Sequence, residues 1–478
     1  MKPNILFLVL DGFRGDLCFG KNKTSITPNI DKLVKNGIYF NQTISSGMSS
    51  TPSVASILTS LYPFEALVQD GNLFKIDPKV LTYVEELKDN GYSTHAVVQE
   101  PLSHIGFKKI FNDNLNTYDQ VKEKLWSGLG EKIIDRLSNL QKKEPWFFYI
   151  QLYELNLLIY PKNEQILNGP LEIADLKFGK NNYERIISAQ DKWIGKILDK
   201  VDLKNTLIVF TSDHGLESGA YDKELENFDS EQRMKRKVIP GSYFKIGMKM
   251  KSVIPFRKKI AEKYKNHINK IKEEKQKPEK ENLEKLNISE YRKRLMELSI
   301  MPKSNIFEDR IHVPLIFYGY NLDTKKIIND LVRSVDIFPT IFDICKLKNK
   351  LKNRRGESLT PLMFNSTFHE LSVFLESSVN VVKSPDSNVI GIRTSEFKYF
   401  RDRNITSKNI KLFNLLEDPL EENNIAESNT QKINEFENKL KMINPRLNFA
   451  IKYNDENEIG VDEAKEIEEK LRQAGYIN

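Results

Sequence analysis

Three side chains that can bind a metal ion follow two short apolar runs of the sequence. Asp11 comes directly after the run 5–10, and Asp213 and His214 follow the run 206–212. We interpret both runs as buried strands, because each is too short for a typical helix and is followed by a turn that contains glycine. Two carboxylates and an imidazole that converge beyond such strands can hold a divalent cation, whereas each aspartate taken alone is more typical of a helix N-cap or a loop.

Hydroxyl groups cluster in front of a second element, within residues 45–63. Apolar residues recur at helical spacing after Pro52, which suits the first turn of a helix, so Ser50 and Thr51 lie at its predicted N-terminus. Backbone N–H groups and the positive end of the helix dipole favour a nucleophile that attacks an anionic centre there. Ordinary capping by Ser50 or Thr51 explains the same pattern, so the residues alone leave both interpretations open.

Short apolar runs alternate with helical patterns over the first half of the chain. Further predicted strands lie at 93–98, 146–153 and 311–317. This alternation predicts an α/β fold in which helices cover both faces of a mostly parallel central sheet. Ligand-binding groups of such sheets collect beyond the carboxyl ends of the strands, where Asp11 and Asp213 lie.

The last part of the chain has a different pattern, which predicts a small α+β subdomain at 376–478. Its predicted elements are a small antiparallel sheet and a terminal helix, with strands at 389–393, 397–400 and 411–415 and the helix at 462–474. Residues 1–375 then form the catalytic domain.

The charge of the chain is concentrated in one segment. The 478 residues include 73 Lys and Arg against 66 Asp and Glu, and residues 231–303 hold 22 of the basic and 9 of the acidic side chains. We interpret this segment as a basic helical insertion that steers anions towards the site, or contacts anionic lipid headgroups at a membrane surface. Its aromatic residues do not alternate with basic ones as a base-stacking platform requires, so no nucleic acid partner is expected.

Composition excludes several classes of protein. Apolar residues make up 39% of the chain, which supports a large core. No apolar run approaches the ~18–20 residues that span a bilayer. Cys18 and Cys345 cannot form a disulfide framework, and the first residues lack the features of a secretory signal, so we expect a cytoplasmic protein.

In their shared order, these segments resemble the sulfatase family of the alkaline phosphatase superfamily over most of the chain. The resemblance is carried by the motifs Asp11-Gly12-Phe13-Arg14-Gly15-Asp16, Thr27-Pro28-Asn29-Ile30-Asp31, Thr211-Ser212-Asp213-His214-Gly215, Phe307-Glu308, Asp336-Ile337-Phe338-Pro339-Thr340 and Leu412-Phe413-Asn414-Leu415. It implies a metal-dependent hydrolase of sulfate or phosphate esters, acting on a small anionic substrate that is sugar- or lipid-linked. The alternatives are a phosphoryl-group transferase acting on a glycan or lipid headgroup, and a non-catalytic member that binds an anion.

The resemblance also implies roles for individual residues. Ser50 lies two residues before Pro52, at the position of the family's nucleophile, and Thr51 is the second choice. Asp11, Asp213 and His214, with the oxygen of Ser50, would bind one divalent cation. Oxygen-rich ligation favours Ca²⁺, the first choice, or Mg²⁺, and the imidazole of His214 leaves Mn²⁺ or Zn²⁺ open.

Several positions depart from the family's pattern. Val54 replaces an arginine that guides conversion of the nucleophile to formylglycine, which argues against that modification of Ser50. Gln99 and Pro101 replace a lysine and a histidine, and Gln151 and Asn156 fall in a stretch that is rich in histidine.

Four further residues are candidates for the substrate site. Lys303 matches a family lysine that would bind an oxygen of the transferring group. His104 or His95 would stand in for the missing histidine, and Arg14 would contact the anion or pair with Asp16. His312, on an apolar strand, is expected to be structural.

Overall fold

The computed structural model describes most of the chain. The described residues are 2–70, 73–140, 145–159, 169–217, 224–225, 227–229, 231–232, 282–300, 305–377, 389–444 and 452–453. Contacts divide the chain into two compact units, Met1–Gly219 with Ser304–Asn478, and Ala220–Lys303.

The strands of the described residues form three sheets. They are β1 Asn4–Leu10, β2 Ile38–Ile44, β3 Leu67–Asp70, β4 Leu73–Ile76, β5 Ser93–Gln99, β6 Leu115–Tyr118, β7 Trp146–Leu152, β8 Thr206–Thr211, β9 His312–Gly319, β10 Lys326–Arg333, β11 Val373–Glu376, β12 Val389–Arg393, β13 Phe397–Asp402, β14 Lys411–Asn414 and β15 Lys452–Tyr453.

The described helices of seven or more residues are α1 Pro28–Asn36, α2 Ser50–Thr59, α3 Tyr83–Asp89, α4 Leu129–Leu140, α5 Asn182–Leu198, α6 Glu290–Ile300, α7 Ile337–Ile344 and α8 Thr430–Ile443. Shorter helical turns lie at Gly15–Leu17, Pro63–Ala66, Glu100–Leu102, Ser103–Phe107, Lys108–Phe111, Asn112–Asn114, Leu125–Ser127, Glu154–Ile159, Leu171–Ala174, Leu176–Phe178, Glu308–Ile311, Ser334–Asp336 and Thr360–Met363. Among the described residues, no helix is long and apolar enough to cross a membrane.

The central sheet has eight strands in the order β10-β2-β9-β8-β1-β7-β5-β6. β9 runs antiparallel to its neighbours β2 and β8, and the other neighbouring strands are parallel. The mostly parallel sheet predicted from the sequence is therefore confirmed. Because β1, β5, β7 and β8 run in the same direction, their carboxyl ends lie at one edge of the sheet.

Apolar layers cover both faces of the central sheet, as predicted. Alternate side chains of β1 enter opposite layers: Phe7 and Val9 join the core with α2, α3 and α7, whereas Leu6 and Leu8 join the core with α1, α4 and α5. Burial on both faces explains why β1 reads as a continuous apolar run in the sequence.

Three strands of the central sheet, β2, β6 and β10, were not predicted; β6 has only four residues, and the irregular strands are β2 and β10. Their parallel pairing shifts register between Ile328 and Leu331, and β2 shifts again against β9 between Phe40 and Thr43. Such bulges interrupt the two-residue alternation that identifies a strand, so the pattern of neither segment indicates one.

The C-terminal part of the first unit contains a separate antiparallel sheet in the order β11-β12-β13-β14. Its first strand begins at Val373, just before the predicted boundary at 376. Helix α8 covers this sheet, and Phe436 stacks on Tyr399 with ring centroids 5.9 Å apart. The predicted helix at 462–474 lies outside the described residues.

The second unit, Ala220–Lys303, includes the whole of the predicted basic insertion 231–303. Of the predicted segment 231–303, the structure describes residues 231–232 and 282–300. Within this described part, α6 forms a helix over Glu290–Ile300, as predicted for the insertion. Its apolar side chains form a small cluster of their own, which consists of Leu225, Leu283, Leu295, Met296 and Ile300.

Candidate active site

The two predicted aspartates lie side by side at the edge of the central sheet. β1 and β8 are parallel neighbours in which Val9 pairs with Thr211, so Asp11 and Asp213, each two residues further, leave the sheet at the same level. Both side chains are fully buried. Their proximity follows from the pairing of the two strands.

Four of the predicted site residues lie together at this edge. The Ser50 hydroxyl donates to Asp11 Oδ2 over 3.1 Å, and its oxygen is 3.3 Å from His214 Nε2. His214 Nε2 lies 3.5 Å from Asp11 Oδ1 and 3.6 Å from Asp213 Oδ2. One ligand atom from each of Asp11, Asp213 and His214 lies within 4.8 Å of the others, so these residues form a group that could hold a metal ion.

The ring of His214 is oriented by the next residue. Nδ1 lies 2.8 Å from the carbonyl oxygen of Gly215, which can only accept, so Nδ1 carries the hydrogen. Nε2 is therefore the ring nitrogen that faces Asp11 and Asp213, and in the neutral imidazole its lone pair can ligate a cation. Three groups whose lone pairs face one another are ligands for a cation, and the residues present fit the predicted divalent metal ion.

The segment before α2 holds Ser50 against this cluster. The Ser45 hydroxyl donates to the backbone carbonyl of Asp213 over 2.6 Å, which joins the two loops. A Cβ at Gly47 would lie only 2.9 Å from the side chain of Pro52, so the tight turn requires glycine. Ser50 is the first residue of α2, as the position of Pro52 in the sequence predicts.

Three neutral amides surround the Asp11 carboxylate. Gln99 Nε2 and Gln151 Nε2 donate to its Oδ2 over 2.9 and 2.8 Å, and Asn156 Nδ2 donates to its Oδ1 over 2.6 Å. Gln151 Nε2 also lies 3.1 Å from Asp213 Oδ2, so this one amide joins both carboxylates. These contacts were not predicted, because in the sequence the three residues stand out only as departures from the family's pattern.

The orientation of Gln151 is set by a buried tyrosine. The Tyr149 hydroxyl donates to Gln151 Oε1 over 2.6 Å, which leaves the amide NH₂ facing the two carboxylates. A polar residue at the carboxyl end of an otherwise apolar strand is the signal that could have identified both Gln99, the last residue of β5, and Gln151 on β7.

Burial and the Asp213 carboxylate raise the pKa of Asp11 from 3.8 to about 6. A raised pKa favours the protonated carboxyl in the fold. Its contribution to stability is therefore complete below about pH 4 and is lost as the pH rises through about 6. A shift of this size corresponds to about 3 kcal/mol.

We therefore expect the chelator-treated protein to lose unfolding free energy between about pH 4 and 7, by up to about 3 kcal/mol. Denaturant unfolding at a series of pH values measures this loss. In Asp11→Asn, which cannot ionise, the decrease should disappear. A wild-type decrease that persists in Asp11→Asn would contradict the assignment to this carboxyl.

Arg14 lies in a cluster of ion pairs. Its guanidinium contacts Asp16 at 2.7 Å and Asp309 at 2.8 Å, so the predicted pairing with Asp16 is confirmed. These two carboxylates more than neutralise its single positive charge. Its predicted contact with a substrate anion stays a prediction.

The structure gives other histidines partners away from the cluster. His312 Nε2 lies 2.7 Å from the carbonyl oxygen of Asn41, in agreement with a structural role. His95 contacts Ser93 and Arg136 through its two ring nitrogens.

Three predicted site residues complete the set. His104 lies in the helical turn Ser103–Phe107, and Thr51 is buried in α2 next to Ser50. Lys303 lies outside the described residues.

Family models and known relatives point to one family. The model described as Sulfatase matches residues 3–347, and the model described as N-sulphoglucosamine sulphohydrolase, C-terminal, matches residues 297–446. Arylsulfatase K of Gallus gallus is 23% identical over 452 residues, which cover 89% of this chain and 79% of that protein. N-acetylgalactosamine-6-O-sulfatase of Bacteroides thetaiotaomicron is 35% identical over 102 residues, which cover 20% of this chain and 20% of that protein.

Solved structures share the fold. The phosphonate monoester hydrolase of Agrobacterium radiobacter aligns with a TM-score of 0.60 at 14% identity, over 93% of this chain and 96% of that chain. A protein solved in complex with its substrate D-glucosamine-2-N,6-O-disulfate aligns with a TM-score of 0.59 at 15% identity, over 94% of this chain and 98% of that chain. The mixed sheet with flanking helices and a small C-terminal sheet is thus a fold that these solved structures share. The chain belongs to the sulfatase family of the alkaline phosphatase superfamily, a family of sulfuric ester hydrolases, as its motifs predict.

Proposed function

We propose that this protein is a divalent-cation-dependent hydrolase of sulfate or phosphate esters with Ser50 as its nucleophile. The observation that carries the proposal is the position of the Ser50 hydroxyl, within hydrogen-bond distance of both Asp11 and His214. A nucleophile that is activated by an adjacent base or a metal ion has this arrangement.

The chain's own residues have separable roles in this proposal. Asp11, Asp213 and His214 hold the cation, for which Ca²⁺ is our first choice because two carboxylates and a hydroxyl supply oxygen ligands. When bound, a divalent cation stabilises negative charge on the attacking and ester oxygens. The Ser50 hydroxyl donates to Asp11 Oδ2, so this carboxylate can accept the hydroxyl proton while His214 Nε2 binds the cation, and the N-terminus of α2 directs backbone N–H groups towards an anion.

Other features of the proposal rest on the sequence. Lys303 would contact an oxygen of the transferring group, and Thr51, Arg14 and His104 would line the substrate site. Cytoplasmic location and contact of residues 231–303 with anionic lipid headgroups also stay predictions. The name of the N-acetylgalactosamine-6-O-sulfatase favours a sulfated sugar as substrate. The phosphonate monoester hydrolase has the same fold, so we also propose a phosphorus ester as an alternative substrate class.

A small substrate panel tests the proposal. We expect turnover of at least one of 4-nitrophenyl sulfate, 4-nitrophenyl phosphate and bis(4-nitrophenyl) phosphate, and we expect it to disappear with chelator and return with added Ca²⁺, Mg²⁺, Mn²⁺ or Zn²⁺. Metal analysis of the purified protein accompanies the assay. Turnover that is indifferent to chelator, or its absence with every cation and ester, would contradict the proposal.

A further inference from the structure

The small C-terminal sheet reaches the segment that carries Ser50. We infer that the buried ion pair of Glu376 and Arg403 positions Ser50 for attack, so that this sheet takes part in the reaction instead of only flanking the site. This role rests on the proposed function, because it takes Ser50 as the nucleophile. Glu376 and Arg403 act through the backbone of residues 45–50, here called the serine segment, and are therefore positioning residues.

Main-chain atoms make the contact between the sheet and the serine segment. The N–H of Glu376, the last residue of β11, donates to the carbonyl oxygen of Ser46 over 3.1 Å, and Glu376 forms a parallel bridge with Gly47. The edge strand of the C-terminal sheet thus continues its pairing into the serine segment. A shift at the end of β11 therefore moves the backbone a few residues before Ser50.

Within the described residues, Ser46 and Gly47 make no side-chain hydrogen bonds of their own. The hydroxyl of Ser46 is buried without a partner, and glycine has no side chain. The start of the serine segment is anchored by the Ser45 hydroxyl, which donates to the carbonyl oxygen of Asp213 over 2.6 Å. The backbone at Ser46 and Gly47 depends instead on its contact with β11.

A buried ion pair fixes the end of β11. The Glu376 carboxylate pairs with the guanidinium of Arg403, and the two side chains are 0% and 2% exposed. Arg403 directly follows β13, and β12 lies between β11 and β13. The ion pair therefore joins the end of the edge strand to the interior of the sheet.

Stability alone does not account for such an ion pair. The cost of removing two charges from water can exceed their attraction, and replacing a buried pair by apolar side chains of similar volume is often neutral or stabilising. An ion pair of arginine with a carboxylate adds direction, because the planar guanidinium donates hydrogen bonds in a fixed geometry. In this protein the group that is held in place is the N–H that binds Ser46.

The position of Ser50 has a narrow tolerance. Its hydroxyl oxygen lies 3.1 Å from Asp11 Oδ2 and 3.3 Å from His214 Nε2, so a small shift of the serine segment breaks both contacts. A misplacement of about 1 Å in an active site can cost on the order of 100-fold in rate. Loss of the ion pair should therefore lower kcat and leave KM nearly unchanged, because the site keeps all of its own side chains.

Two variants with the same chemical change test this role. Glu376→Gln removes the partner of Arg403, and Glu437→Gln removes the α8 partner of Arg401, which is buried to the same extent in the same sheet. We expect Glu376→Gln to lower kcat at least about tenfold with KM within about threefold of wild type. Glu437→Gln should leave kcat within about twofold. An equal fall of kcat in both variants would overturn the role of the ion pair.

A double variant separates position from stability. Glu376→Met with Arg403→Met removes both charges, so its denaturant midpoint should exceed that of Glu376→Gln, which keeps the Arg403 charge without the Glu376 carboxylate. We expect kcat of the double variant to stay at least about tenfold below wild type, although its stability recovers. If the folded double variant has kcat within about twofold of wild type, the buried charge caused the fall in Glu376→Gln and the inference is wrong.

Hydrogen exchange distinguishes this role from the proposed function. In the double variant, the backbone amides of the serine segment and of residue 376 should exchange at least about tenfold faster than in wild type, measured by mass spectrometry. Wild-type turnover together with unchanged exchange and unchanged kcat in the double variant would overturn the inference alone. Absence of turnover in the wild type would instead overturn the proposed function, and the exchange rates would still decide whether the ion pair holds the serine segment.

Discussion

Replacing Ser50 with alanine should lower kcat by about 10³-fold or more on every ester that the protein hydrolyses. The hydroxyl is the only group lost, and it lies between Asp11 and His214. Because Asp11, Asp213 and His214 remain, the variant should still bind the cation. Loss of turnover with retained metal is the signature of a nucleophile, whereas loss of both would indicate that the site has collapsed.

Two variants in the same helix serve as controls. Ser56 is buried in α2, and its hydroxyl has no hydrogen-bond partner among the described residues, so Ser56→Ala should leave kcat within about twofold of wild type. Thr51→Val removes the other hydroxyl that the sequence offered. A large loss in Thr51→Val with little change in Ser50→Ala would transfer the role of nucleophile to Thr51.

The chemical state of Ser50 is decided by the mass of the peptide that contains it. Val54 lies in α2, one turn after Ser50, and is fully buried in the apolar core. It therefore supplies no charged group to Ser50. We expect the mass of an unmodified serine. A mass two daltons lower would identify the aldehyde and would make a sulfate ester the favoured substrate.

The location of the metal-binding group could be predicted from the sequence because its signals are local. Asp11 and Asp213 each follow an apolar run directly, and a glycine comes one or two residues after each of them. The parallel pairing of β1 with β8 then brings the two aspartates together. The position of Ser50 follows from Pro52 and the helical spacing of the apolar residues after it.

The surroundings of the group could not be predicted in the same way. Gln99, Gln151 and Asn156 come from segments far from Asp11 in the sequence and meet it only because β5, β7 and β1 are neighbours in the sheet. No spacing in one sequence encodes that order of strands. The role of Tyr149 in orienting Gln151 could not be predicted either, because the sequence of β7 does not distinguish it from the other aromatic residues of this buried strand.

A buried lysine in the small sheet was missed for a related reason. In β13, Lys398 comes directly after the apolar Phe397, and this alternation in the sequence is typical of a strand with one face exposed to solvent. Lys398 is nevertheless fully buried. Its ammonium lies 3.0 Å from Glu308 Oε1 and 2.5 Å from Glu421 Oε1. Burial alone would raise the pKa of Glu308, but Lys398 and Arg393 hold it at about 2.

Lys398→Met should therefore destabilise the protein by about 3–5 kcal/mol, because it removes the ammonium that lies between the buried Glu421 and the partly buried Glu308, and Arg393 contacts only Glu308 from 3.6 Å. Denaturant unfolding measures the loss. Lys432→Met removes a half-exposed pair with Glu435 and should cost less than about 1 kcal/mol. The double variant Lys398→Met with Glu421→Gln, which removes one of the stranded charges, should recover part of the loss.

The pH dependence of the same variant has a definite sign. In the wild type, the lowered pKa of Glu308 contributes stability that is present above about pH 4.5 and is lost as the pH falls through about 2. Without Lys398 the pKa of Glu308 rises towards its usual value, because Arg393 then opposes burial and the facing carboxylate without the lysine, so Lys398→Met should lose less stability than the wild type as the pH falls from about 5 to 2. Glu308 begins the helical turn whose Asp309 binds Arg14 and whose Arg310 carbonyl accepts from the N–H of Gly215. Cation binding should weaken on acidification in both proteins, because Asp11 gains a proton below about pH 6, and equal losses of stability in the variant and the wild type between about pH 5 and 2 would contradict this account.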